Sequence, residues 1–233
     1  MTGREEERPR ERAGPFNLED HGDILTAILD EVRDAPDLTQ RELSQIMRNH
    51  TLPNGDMLSK DRIIRGYRQL CRREGRSPDV ALVRRLRVKP TRTISGVAPV
   101  AVLTEPYPCP GECIFCPELA GMPKSYLPDE PGAMRAAAHD FDPFDQTASR
   151  IATLRDIGHS VDKIELLILG GTWSAYPEEY QAWFVRRCLD AMNGVEADSL
   201  TEAQHLNETA DHRNAGLVVA TRPDRIKSTE AHP

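Results

Sequence analysis

Three of the chain's five cysteines, Cys109, Cys113 and Cys116, fall within eight positions in the stretch PYPCPGECIFCPE, residues 106–118. Thiolates are the ligands of iron–sulfur centres and of many zinc sites. The Cys-x3-Cys-x2-Cys spacing lets three of them converge on one centre from a short loop, and Pro108, Pro110, Gly111 and Pro117 oppose that loop becoming a helix. An odd cysteine count clustered in this way is a poor disulfide framework, because bridges need pairs and an oxidising compartment. Three ligands on a four-iron cluster leave one iron open for substrate, whereas an electron-transfer cluster has its sites filled by protein. Zinc is the competing metal and accepts Cys3His tetrahedra, but no histidine stands at finger spacing, and His139 and His159 are distant. The spacing favours the open iron–sulfur centre over structural zinc. Cys71 and Cys188 fall in amphipathic helical patterns and read as small buried hydrophobes.

The loop needs a scaffold, and the flanking sequence predicts one. TISGVAPVAVLT (93–104) reads as a buried strand that runs directly into the cysteines. FDQTASRIATLRDIG (144–158) reads as a helix ended by a glycine, KIELLILGG (163–171) as a buried strand closed by Gly170 and Gly171, PEEYQAWFVRRCLDAMNG (177–194) as a helix between Pro177 and Gly194, and GLVVATRPD (216–224) as a third strand. Strands alternating with helices imply a parallel α/β sheet or (β/α) barrel. Ligands of such folds bind at the C-terminal ends of the strands, where both the cysteine loop and the glycine pair fall.

The preceding region follows a different pattern. Residues 1–16 are predicted to be disordered, and residues 17–92 to form a small helical module. Its helices are expected over 17–36, then from the cap Thr39 with Glu42 completing a capping box, then from the cap Ser59 to the stop Gly75. Residues 57–93 carry 12 Lys or Arg against three acids, within a chain of net charge −7. A basic strip on an acidic protein suits either a polyanion such as RNA or a solvated helix face. Arg62, Arg65, Arg68, Arg72 and Arg76 fall roughly on one helical side, which points toward nucleic acid.

Charged residues make up 29% of the 233 and aromatics 5%, and no apolar run approaches the roughly 18–20 residues of a membrane span. The charged N-terminus lacks the apolar stretch of a signal peptide, so a cytoplasmic chain with reduced cysteines and no membrane partner is expected.

Several segments, in order, narrow the reading: RTISGVAPVAV, PCPGECIFCP, SYLPDEPGAMRA, DPFDQTASRI, IGHSVDKIE, GGTWSAYPEEYQAWFV and TRPD. The cysteine spacing is that of the radical S-adenosylmethionine enzymes, and over about residues 57–225 the chain resembles the catalytic subunit of Elongator in its prokaryotic form. That family modifies the wobble uridine of tRNA, using a partial parallel barrel followed by an acetyltransferase domain.

The resemblance implies that residues 93–233 form the N-terminal part of a radical S-adenosylmethionine barrel. Cys109, Cys113 and Cys116 would hold a [4Fe-4S] cluster whose free iron chelates S-adenosylmethionine. An electron donor would reduce the cluster, and cleavage of the sulfonium would give methionine and a deoxyadenosyl radical. Gly170 and Gly171 would approach the methionine moiety, Lys163 would serve acetyl-CoA as co-substrate, and the product would be 5-carboxymethyluridine. Arg62, Arg65, Arg68, Arg72, Arg73, Arg84, Arg85 and Arg87 would contact tRNA phosphates. No residue is assigned as catalytic.

Two departures from the family pattern stand out. Ala220 occupies the place of an acidic residue before TRPD, and the sequence given stops at Pro233 with neither the later strands nor the acetyltransferase. The expectation is the N-terminal portion of a longer enzyme, acting with its missing C-terminal portion or with other subunits. A non-catalytic zinc- and RNA-binding module, or an inactive truncated fragment, is the alternative.

Overall fold

The computed structural model describes residues 17–35 and 37–225. The expected disorder of residues 1–16 lies outside them. The chain divides into two compact units, Met1–Val88 and Lys89–Pro233. The division falls a few residues before the boundary at 92 read from sequence, because Pro90–Thr93 forms a 3₁₀ turn that packs on the first strand of the second unit.

In the first unit α1 (Leu18–Asp34), α2 (Gln40–Asn49), α3 (Lys60–Arg73) and α4 (Val80–Leu86) enclose a core that includes Leu25, Leu29, Leu43, Ile64, Tyr67 and Leu86. The Thr39 and Glu42 capping box forms as predicted, satisfying helix-end donors from both side chains. Ser59 stands at the N-cap of α3 but makes no capping hydrogen bond. The fourth helix was not anticipated. Its cap is Asp79, whose carboxylate accepts from Ala81 N at 2.8 Å and Leu82 N at 3.4 Å, while the Tyr67 hydroxyl accepts from Asp79 N at 2.9 Å and ties the helix start to α3. The signal lay in DVALVRRL, where the density of arginines masks a helical pattern.

The second unit is α/β, as expected. Its strands β1 (Ala98–Leu103), β2 (Lys163–Leu169) and β3 (Arg213–Val219) form one parallel sheet in the order β1-β2-β3. Among the described residues this is an open three-strand sheet and not a closed barrel. The connections carry α5 (Pro131–Ala137) and α6 (Pro143–Asp156) between β1 and β2, then α7 (Glu178–Asn193) and α8 (Leu200–Asn207) between β2 and β3. Val100 and Leu166, paired in register, pack with Ile151, Leu154, Phe184 and Leu189 from α6 and α7.

Several boundaries differ from the reading of the sequence. The first strand starts at Ala98 and not Thr93, because the 3₁₀ turn and Gly96, at φ +84°, occupy the stretch before it. The third strand starts earlier, at Arg213 opposite Lys163, and ends at Val219; Pro223, with no N–H to give a ladder, then opens a 3₁₀ turn. Helices α5 and α8 were missed although both carry start signals, Pro131 in the first turn of one and Ser199 with Glu202 at the other. Among the described residues no helix is long and apolar enough to cross a membrane.

Candidate metal and cofactor site

The end of β1 is pinned before it releases the cysteine loop. Gln146 from α6 bonds both the N–H and the carbonyl of Leu103 at 2.9 Å, and Thr104 N donates to Leu169 O at 2.9 Å. The Tyr176 hydroxyl then donates to Glu105 O at 2.7 Å and meets Thr104 Oγ1 at 2.7 Å. From this fixed point the loop brings Cys109, Cys113 and Cys116 to one cavity of ≈ 250 Å³, together with Gly170 and Gly171 from the end of β2 and Thr172 and Arg222 beyond β2 and β3.

Each thiol has its own hydrogen-bonding neighbour. Cys109 meets the Thr172 hydroxyl at 3.2 Å, Ser125 Oγ donates to Cys116 Sγ at 2.9 Å, and Arg222 Nη1 donates to Cys113 Sγ at 2.7 Å. Burial raises the Cys109 thiol, yet the hydrogen bonds of the Thr172 hydroxyl and the Gly111 backbone, with Lys124 and Arg222 nearby, bring it below its usual value. Lys124 is itself fixed by donating to Gly111 O at 2.9 Å.

Among the described residues no three Cys, His, Asp or Glu side chains are already gathered at metal-binding distance. The thiols share the cavity without closing on a point. The donor set can be tested for fit: among the described residues the cavity is lined by no histidine and no carboxylate. A Cys3His zinc site lacks its fourth ligand there. Three soft donors beside two cations fit an anionic iron–sulfur cluster with one open iron.

The glycine pair splits into two roles. Gly170 sits at φ +149°, and a Cβ there would overlap Thr104 Oγ1, so the close seating of β2 against β1 requires glycine. Gly171 has nothing within 4 Å of the space a Cβ would take, and leaves the cavity open. Ala220 also lines the cavity. Lys163 does not join these residues. It is exposed at the opposite end of β2, six residues from Leu169, or about 20 Å at the rise of a strand.

The basic residues of the helical unit are Arg62, Arg65, Arg68, Arg72 and Arg73 on α3, Arg84 and Arg85 on α4, and Arg87 at its C-cap. Arg65, Arg72, Arg73 and Arg84 are exposed, and Arg62, Arg68, Arg85 and Arg87 half-buried. Arg85 donates to Val32 O at 2.7 Å and Arg33 O at 3.3 Å, so it also closes the end of α1. The α/β unit has further arginines. Burial, then the like charges of Arg135 on α5 and Arg92 in the 3₁₀ turn, bring Arg150 of α6 down to about 10.

Compared with models of known protein families, the chain matches none. Individual relatives are clear. A tRNA uridine(34) acetyltransferase of Methanocaldococcus jannaschii is 46% identical over 211 residues, covering 86% of this chain and 38% of the relative. The tRNA uridine(34) acetyltransferase of Dehalococcoides mccartyi is 51% identical, covering 58% of this chain and 30% of the relative. Elongator complex protein 3 of Danio rerio is 40% identical, covering 62% and 28%. Over part of their length, the chain is thus homologous to proteins named tRNA uridine(34) acetyltransferase and Elongator complex protein 3. It spans at most 38% of the length of these relatives. A solved structure of Methanocaldococcus infernus Elp3 with an N-terminal deletion aligns at a TM-score of 0.44 and 43% identity, over 58% of this chain and 25% of that one.

In this Elongator complex protein 3 relative, the site residues missed from sequence are Thr172, Ser125, Lys124 and Arg222. Thr172 directly follows the glycine pair and Arg222 opens the RPD segment. Both lie inside the segments GGTWSAYPEEYQAWFV and TRPD, but only the fold shows them facing sulfur.

Proposed function

We propose that this chain is the cluster-binding, radical S-adenosylmethionine portion of a tRNA wobble-uridine-modifying enzyme. The observation that carries the reading is a cavity at the C-terminal ends of parallel strands that gathers three thiols and a glycine pair, with no imidazole or carboxylate in its lining among the described residues. The names of the relatives, tRNA uridine(34) acetyltransferases, support uridine 34 of tRNA as the substrate.

Cys109, Cys113 and Cys116 would hold the cluster, with Thr172, Ser125 and Arg222 orienting their sulfurs. Gly171 gives the amino group of S-adenosylmethionine room to reach backbone. When bound there, a four-iron cluster supplies the single electron that cleaves a carbon–sulfur bond of S-adenosylmethionine. Lys163 would meet a phosphate of acetyl-CoA, at the far end of β2 from this cavity, and 5-carboxymethyluridine would be the product. The arginines of α3 and α4 would hold tRNA phosphates, an electron donor would be needed as a partner, and the Elongator complex naming of relatives supports further subunits as partners.

The reading is tested by incubating the anaerobically reconstituted chain with S-adenosylmethionine and a one-electron reductant. Methionine release by the wild type and none by Cys113→Ala is expected; no release by either, or equal release by both, contradicts it. For the RNA, replacing Arg65, Arg68 and Arg72 with Glu should weaken tRNA binding and lower the salt slope by about three. An unchanged slope would reduce the strip to a solvated face.

A further inference from the structure

Arg222 reaches the cysteine loop from the strand farthest from it in the sheet. Its guanidinium is gripped at two points, Nε donating to Asp224 Oδ1 at 2.9 Å and Nη2 to Asp224 Oδ2 at 3.0 Å. A two-point grip fixes the plane of the fork as well as its position. The remaining nitrogen, Nη1, is left facing Cys113 Sγ at 2.7 Å.

The loop is shaped to admit this contact. Gly111 is not among the residues with positive φ, so its backbone does not require glycine. Its space does: a Cβ at Gly111 would overlap Arg222 Nη1 and lie 2.7 Å from Cζ and 3.1 Å from Nε. The glycine of CPGEC and the arginine of TRPD, 111 positions apart, are therefore two halves of one fit. A solvent-exposed ion pair with Asp224 alone would need no such accommodation.

We propose that Arg222, clamped by Asp224 and admitted by Gly111, is a positioning residue of the thiolate site that donates to the Cys113 sulfur and raises the reduction potential of the cluster held there. The inference rests on the proposed function. Reduction adds one negative charge to a cluster already carrying thiolates. An N–H donor and a fixed positive charge at a ligand sulfur stabilise the reduced form more than the oxidised one.

The test is potentiometric titration of anaerobically reconstituted wild type, Arg222→Gln, Arg222→Lys and Gly111→Ala. Arg222→Gln should shift the one-electron equilibrium toward the oxidised form by about tenfold, ~59 mV. Gly111→Ala should shift it in the same direction, since the clash falls on the end of a flexible side chain and displaces Arg222 while leaving the fold. Arg222→Lys, which keeps the charge, should recover part of the potential, and combining Gly111→Ala with Arg222→Gln should add nothing further. If Arg222→Gln takes up no cluster, Gly111→Ala carries the measurement. A potential unchanged in both variants overturns the role of Arg222 and leaves the proposed function standing. A wild-type chain that takes up no iron–sulfur cluster removes both.

Discussion

In the helical unit Leu25, Leu29, Leu43, Leu58, Ile63 and Ile64 are buried in the core, and several polar side chains close helix ends: Asn17, Thr39 and Asp79 as N-caps, and Arg85 at the end of α1. The α/β unit buries Val100, Leu166 and Phe184 as completely, yet its cysteine loop exposes Ile114 and Phe115 at 90% each. One unit puts its polar groups where they finish secondary structure. The other, besides its own caps, places thiols, hydroxyls and two cations around a cavity at the strand ends, where no helix or strand needs them. Stability and chemistry are thus separated along the chain, and substitutions should separate them too.

The largest effect is expected at the cavity. Cys113→Ala should abolish uptake of iron and sulfide while leaving the unfolding of the helical unit where it was; a shift of that transition would show that the two roles are not separate. Next come the cores. Phe184→Ala, at a fully buried site, should destabilise the α/β unit by about 3–5 kcal/mol, and Leu43→Ala should destabilise the helical unit by about 2–5 kcal/mol, both read from chemical denaturation. Leu43→Ala should still load a cluster, and failure to do so would join what the comparison divides. The smallest effect tests caps that look alike in sequence. Thr39→Ala should cost about 1 kcal/mol, whereas Ser59→Ala, which loses no capping bond, should cost close to nothing. Equal losses would contradict the assignment.

Legibility followed the range of the interactions. Thr39 and Glu42 are three residues apart, and their box was readable because its partners are local. The cysteine spacing and the strand ending in two glycines were readable for the same reason, and they pointed to the candidate cavity that the fold forms. What sequence could not show were contacts that the parallel sheet makes by bringing distant strand ends together: Thr172 to Cys109 across 63 positions, and Arg222 to Cys113 across 109. The strand limits were misjudged where a tertiary partner decides them, as when Arg213 pairs with Lys163 ahead of the apolar run. Helix α4 was hidden for another reason, since a stretch read for its charge was not also read for its period. Lys163 illustrates the reverse, being seven positions from Gly170 in sequence yet at the other end of the strand.

The central claim is that the three thiols of this cavity hold an iron–sulfur cluster with a coordination site free for S-adenosylmethionine. Electron paramagnetic resonance of the reduced, anaerobically reconstituted chain, recorded with and without S-adenosylmethionine, addresses it most directly. The account predicts a cluster signal that changes on addition of the cofactor and is absent from Cys109→Ala. A colourless, zinc-loaded protein, or a cluster signal indifferent to the cofactor, would contradict it.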